Sequence, residues 1–276
     1  MMRKKLVSVI ILLFMATCAS YPQEQGFKFL HSIGGTEYQE INYQNLDQTY
    51  HIYVLTPEII EPNQKYPTVY LLDGGITYPL LSSYYKYLRL GDEVPEMIIV
   101  GISYGTNDWR KGNARSRDFT TKSEERSFWG GAPDFMEFLS SELFPLIEST
   151  YPSDATHRIV FGQSLGGQFV LYAALSNPGL FWGHIASNPA LHRNLDFFLE
   201  STTGSNTNNN RPRLFVSSGS QDDLRFREPA LKWIKFWNEQ KNTPWVLKTT
   251  TLEGHNHFSA GPEAFRQGMR WIFSEN

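Results

Sequence analysis

Gly162-Gln163-Ser164-Leu165-Gly166-Gly167 follows a strand-forming run, Arg158 to Phe161, and opens a helix-spaced stretch reaching Ser176. A serine on so sharp a strand-to-helix turn is forced into a strained backbone conformation, with its hydroxyl exposed above a sheet. The flanking glycines are required because side chains there would collide with the adjoining strand and helix. G-x-S-x-G recurs by chance in proteins, but between a strand and a helix it points to a nucleophile.

The rest of the chain supplies the sheet and helices this turn needs. Tyr50 to Leu55, Thr68 to Leu72, Met97 to Ile102, Arg158 to Phe161, Leu214 to Ser217 and Trp245 to Leu252 are expected strands, rich in Val, Ile, Tyr and Phe. Several are continuously apolar, as in strands buried on both faces by crossover helices. Pro133 to Thr150, Ser164 to Ser176, Arg225 to Gln240 and Pro262 to Phe273 carry helix-spaced apolar residues. In the first, Phe135, Phe138, Leu139, Leu143 and Leu146 share a stripe, and Pro145 is expected to kink or restart the helix. This alternation predicts an α/β fold, with a mostly parallel central sheet and helices on both faces. Ser103 to Ala132 and Ser201 to Asn210 read as irregular, the first long enough to be functional.

Composition narrows the chemistry. The 276 residues carry 25 Lys+Arg against 28 Asp+Glu, a formal net charge of −3. That balance argues against a nucleic-acid partner, which needs a basic face. The one cysteine, Cys18, excludes an internal disulfide, zinc ribbons and thiol redox centres. It lies inside Met1 to Ser20, where Arg3, Lys4 and Lys5 precede the apolar run Leu6 to Ala16 and four small residues. This is the plan of a secretory signal, too short for a membrane span. The expected division is therefore a signal over residues 1–20 and a single domain over 21–276. Cys18 is then either discarded or lipidated as a membrane anchor, and the protein is exported as a periplasmic, secreted or lipid-anchored molecule. Nucleophilic chemistry falls to serine.

A serine hydroxyl needs a base and a group to orient that base. On sheets of this kind the partners follow in chain order Ser, then Asp or Glu, then His. After the strand Leu214 to Ser217 comes Gly219-Ser220-Gln221-Asp222-Asp223, where Asp222 closes a G-x-x-D turn and Asp223 is its rival. After the last strand come His255 and His257. A His-x-His pair also suits a metal, but no third ligand of matching type is near in sequence, so no metal is assigned. His31, His51, His157, His184 and His192 read as surface or packing residues. Oxyanion donors are expected from the backbone N–H of Leu165 and from the loop Asp73-Gly74-Gly75.

Three segments in order, Tyr66-Pro67-Thr68-Val69-Tyr70-Leu71-Leu72-Asp73-Gly74, Arg115-Ser116-Arg117-Asp118-Phe119-Thr120 and Gly162 to Gly167, resemble the putative-esterase family. That family includes esterase D, enterochelin-type siderophore esterases, feruloyl and acetyl-xylan esterases and mycolyltransferases. The resemblance runs from about Tyr50 to the C-terminus. It implies an α/β-hydrolase fold and a serine esterase working through an acyl-enzyme without a cofactor. Ser164, Asp222 and His257 then correspond to the triad, and Leu165 and Gly75 to the oxyanion donors. A proline common after the R-x-R-D-F-T segment is replaced by Thr121. The exported, siderophore-esterase-like branch is the nearest likeness.

Ser187 to Arg211 leaves no room for a large cap domain, so an open site suited to a small-molecule or polymer-attached ester is expected. Tyr78, Trp109, Phe128, Trp129, Phe181 and Trp182 are candidates for an aromatic rim, and Arg110, Lys111, Arg115 and Arg117 for a basic loop. Of these, Trp109, Arg115 and Trp129 are the expected substrate-binding residues. Two other readings are an acyltransferase of the same fold and a noncatalytic binding lipoprotein.

Overall fold

The computed structural model describes residue 30 and residues 32–200 and 211–274. The expected signal with Cys18, His31 and the stretch Ser201 to Asn210 lie outside the described residues. Among the described residues eight strands form one sheet: β1 (Glu37–Tyr43), β2 (Gln48–Leu55), β3 (Tyr66–Leu71), β4 (Ile98–Ser103), β5 (Ser153–Gln163), β6 (Gly183–Ser187), β7 (Arg213–Gly219) and β8 (Val246–Leu252). Their order is β1-β2-β4-β3-β5-β6-β7-β8. The pairs β1–β2 and β2–β4 are antiparallel, and every later pair is parallel.

Two strands and one long helix add to the expected set. β1 is an exposed edge strand that turns Gln39, Ile41 and Tyr43 to its less exposed side, and pairing to β2 rather than burial holds it. β6 is five residues, Gly-His-Ile-Ala-Ser, buried throughout despite weak strand propensity. The helix α1 (Gly74–Leu90) runs through Pro79 and turns Tyr78, Leu81, Tyr85 and Leu88 inward.

Consecutive strand residues point to opposite faces, and each face has its own core. Val69, Leu71, Ile99, Ile159, Phe161, Ile185 and Phe215 pack under α1 and under α5 (Ala260–Ile272), whose Phe265 and Met269 are buried. Tyr70, Val100, Val160, Leu214 and Val216 face the helices on the other side. There α2 begins at Ala132–Phe138, passes a π-turn at Leu139–Leu143 and continues over Phe144–Thr150. The Phe144 N–H reaches back five residues to the Leu139 carbonyl. That wider turn lets the helix accept Pro145, which has no N–H to give, without ending. α3 (Leu165–Ser176) and α4 (Leu224–Asn238) complete this layer, with Trp233, Trp237 and Trp245 fully buried behind them.

Ser103 to Ala132 is anchored rather than loose. The buried carboxylate of Asp118 accepts from Tyr50 (2.7 Å), Tyr104 (3.0 Å) and Arg117 Nε (2.6 Å). Burial raises its pKa against the pull of those donors and also holds both phenols protonated. Thr121 stands where the related pattern has proline, and its hydroxyl accepts from Asn194. Between β6 and β7 the described residues hold one short helix, Leu195–Leu199, and no large cap.

Candidate active site

The carboxyl ends of the parallel strands converge on one cleft of about 560 Å³, the usual ligand position in sheets of this class. β3 delivers Asp73 and Gly75, β4 Ser103, and β5 Ser164, while His257 follows β8.

Ser164 sits at φ 58, ψ −117, a conformation costly for any residue with a side chain. Its N–H donates to Ser187 O and its carbonyl accepts from Ala190 N, both 3.0 Å, so the segment after β6 holds the turn in place. Gly162 makes the turn possible, because a Cβ there would lie 2.2 Å from the Gly166 carbonyl oxygen.

The two ambiguous pairs separate cleanly. His257 Nδ1 lies 3.0 Å from both Oδ1 and Oδ2 of the buried Asp222. A carboxylate only accepts, so the proton sits on Nδ1 and Nε2 is left as the free basic nitrogen. Asp223 instead caps α4, its Oδ1 accepting from Arg225 N at 2.8 Å. His255 donates Nδ1–H to Ser259 O at 2.9 Å and its own carbonyl accepts from Gln221 N, also 2.9 Å. That carbonyl stitches the acid turn to the histidine loop so closely that a Cβ on Gly219 would come within 2.4 Å of it.

Asn188, which no sequence signal singled out, completes the acid's surroundings. It is buried, holds φ 44 and donates Nδ2–H to Asp222 Oδ2 at 2.6 Å. The Asn188-Pro189 turn after a short apolar run was the available clue. Gln163, next to the nucleophile, donates to the His257 carbonyl.

On the far wall, Asp73 takes a left-handed conformation (φ 55) just before Gly74 and Gly75. A Cβ on Gly74 would lie 2.6 Å from Ile102 N, so the start of α1 presses directly on β4. Arg115 grips Asp73 with Nε at 2.6 Å and Nη2 at 2.8 Å. Burial works to lower the Arg115 pKa, but the Asp73 charge keeps it above its ordinary value. Gly75 lines the cleft and Leu165 opens α3, so two helix N-termini, with their unpaired N–H groups, meet near Ser164.

The expected rim is corrected. Arg115 does line the cleft, but Trp109 and Trp129 do not. Trp109 is 78% exposed on the turn Trp109–Lys111, and Trp129 lies 6.0 Å from the Arg193 guanidinium. Tyr78 and Phe181 are core residues because their helix and strand-approach positions face inward. The cleft instead carries Ile76, Arg225, Phe226 and Phe258. All four follow directly on site loops, a position that sequence spacing alone does not mark as facing the cleft.

Comparison with known proteins adds the lineage. Residues 44–274 match the family model described as Putative esterase. The chain is 34% identical over 188 residues to the ferri-bacillibactin esterase BesA of Bacillus subtilis, covering 62% of this chain and 64% of that protein. It is 27% identical over 192 residues to the apo-salmochelin esterase of Escherichia coli, covering 65% and 58%. The match thus spans under two thirds of either relative. Among solved structures, the BES protein from Bacillus cereus superposes with a TM-score of 0.72 at 24% identity, over 87% of this chain and 95% of that one. That likeness shows the shared α/β-hydrolase fold.

Proposed function

Because the chain belongs to the putative-esterase family, we propose that it is a serine carboxylic-ester hydrolase acting on a bulky ester. The observation that carries this reading is the bidentate approach of Asp222 to His257 Nδ1, in a cleft that also presents Ser164. His257 Nε2 takes the Ser164 proton as Oγ attacks the ester carbonyl. The N–H groups of Leu165 and Gly75 receive the oxyanion, and each such donor contributes ~3–4 kcal/mol in comparable sites. His257 then protonates the leaving alcohol, and water releases the acyl group by the same steps in reverse. Asp222 holds the tautomer and stabilises the imidazolium throughout.

Relatives named for siderophore esters support that substrate class, and a cleft without a large cap suits it. Feruloyl or acetyl-sugar esters are bulky in the same sense. Export, with either lipidation of Cys18 or cleavage after Ala19 or Ser20, belongs to this reading on the strength of residues 1–20.

The test is turnover of p-nitrophenyl acetate by wild type and Ser164→Ala, followed by a panel of aryl, feruloyl, acetyl-sugar and triscatecholate esters. A loss of about 10⁴-fold or more is expected in the variant. Equal turnover by both proteins overturns the proposal.

A further inference from the structure

Phe226 lies parallel against the His257 ring, centroids 4.4 Å apart and tilted by 26°. The Arg225 guanidinium carbon is 4.4 Å from the same Phe226 centroid. Phe258 meets His257 edge-on at 5.5 Å and is 83% exposed, while Ile76 across the cleft is 60% exposed. Apolar side chains this bare at a cleft mouth have a flat apolar ligand as their natural cover.

Charge selects further. The charged groups lining the cleft are Asp73, Arg115 and Arg225. Asp73 and Arg115 neutralise each other in a two-point ion pair. Arg225 makes no ion pair with a carboxylate among the described residues; the neighbouring Asp223 accepts from its backbone N–H. Arg225 is therefore the cation lining the cleft that no carboxylate among the described residues pairs with, on a chain whose net charge is −3. A guanidinium lying over a ring keeps its N–H edge free for a planar anion.

We infer that Arg225, Phe226 and Phe258 form a specificity subsite for an aromatic group bearing a negative charge, on the leaving-group side of the scissile ester. The side follows from the neighbours. Phe226 and Phe258 both touch the His257 ring, Arg225 lies on Phe226, and His257 must reach the leaving oxygen to protonate it. This rests on the esterase reading and adds to it the charge and shape of one substrate half.

The test compares 4-acetoxybenzoate with its methyl ester, two acetates whose leaving phenols differ chiefly in charge. The readout is the ratio of kcat/KM for the anion to that for the neutral ester, so any general loss cancels. Arg225→Gln is expected to lower this ratio about fivefold, the effect of one partly screened charge pair. The change is expected in KM, with Arg225→Lys recovering part of it. In wild type, raising salt to about 1 M is expected to move the ratio towards that of the variant. A ratio unaffected by both Arg225→Gln and salt overturns the subsite while leaving esterase activity standing. Absence of Ser164-dependent turnover of either ester overturns the esterase reading, and the subsite with it.

Discussion

Asn188 donates its side-chain amide to Asp222 Oδ2 at 2.6 Å, from a left-handed backbone position at the end of β6. The bond leaves Asp222 Oδ1 facing only His257 and fixes the carboxylate's rotation. Removing it in Asn188→Ala also returns negative charge towards the imidazole. We expect kcat/KM to fall about tenfold, chiefly in kcat, because the carboxylate no longer holds the imidazole in one orientation. A loss of stability with unchanged kcat would reduce Asn188 to a packing role.

Neighbouring carboxylates and neighbouring imidazoles are predicted to behave as opposites. Asp222→Ala and His257→Ala each remove a triad member, and about 10⁴-fold losses in kcat are expected. Asp223→Ala removes a helix cap, at a cost of about 1 kcal/mol in unfolding free energy. His255→Ala removes a bond to Ser259 O on the surface, and turnover within about threefold of wild type is expected. Steady-state kinetics beside denaturant melts separate the four.

Arg115 and Asp73 make a two-point contact that lysine cannot reproduce. Arg115→Lys is therefore expected to lower kcat/KM by about tenfold or more, with part of the loss in kcat. The reason is that Asp73 sets the path of the Gly75 N–H. A change confined to KM would mean that Arg115 acts on substrate alone.

His184 is fully buried in β6, edge-on to Phe181 at 5.6 Å, and burial pushes its pKa down from 6.5 to about 3. The unfolded chain binds this proton and the folded one does not, so stability falls as pH drops from about 6.5 towards about 3. His184→Leu is expected to flatten that part of the dependence of Tm on pH. An identical acid slope in both proteins would assign it to other groups.

What could be read in advance followed from how local each signal was. The turn at Ser164 is written within six consecutive residues, and the parallel strands around it are continuous apolar runs. Both were legible. Asp222 against Asp223, and His257 against His255, differ by one or two positions, and spacing cannot aim a side chain. Their separation depends on Asn188, Ser259 and the α4 cap, contacts between segments far apart or just starting. β6 carries no local strand signal, because Gly183, Ala186 and Ser187 are held extended only by the strands paired on either side. Trp109 and Trp129 drew attention as aromatics in a polar loop, but nothing local shows which way such a loop faces.

The nucleophile and its base stand on strands of unequal security. Ser164 leaves β5, hydrogen-bonded on both flanks by β3 and β6, whereas His257 follows β8, the last strand, paired only to β7. Edge strands exchange their amide protons first, through local openings far cheaper than global unfolding. Warming would therefore detach the base while the serine turn is still folded. Activity would fade ahead of the melting of the sheet, and cooling would restore it.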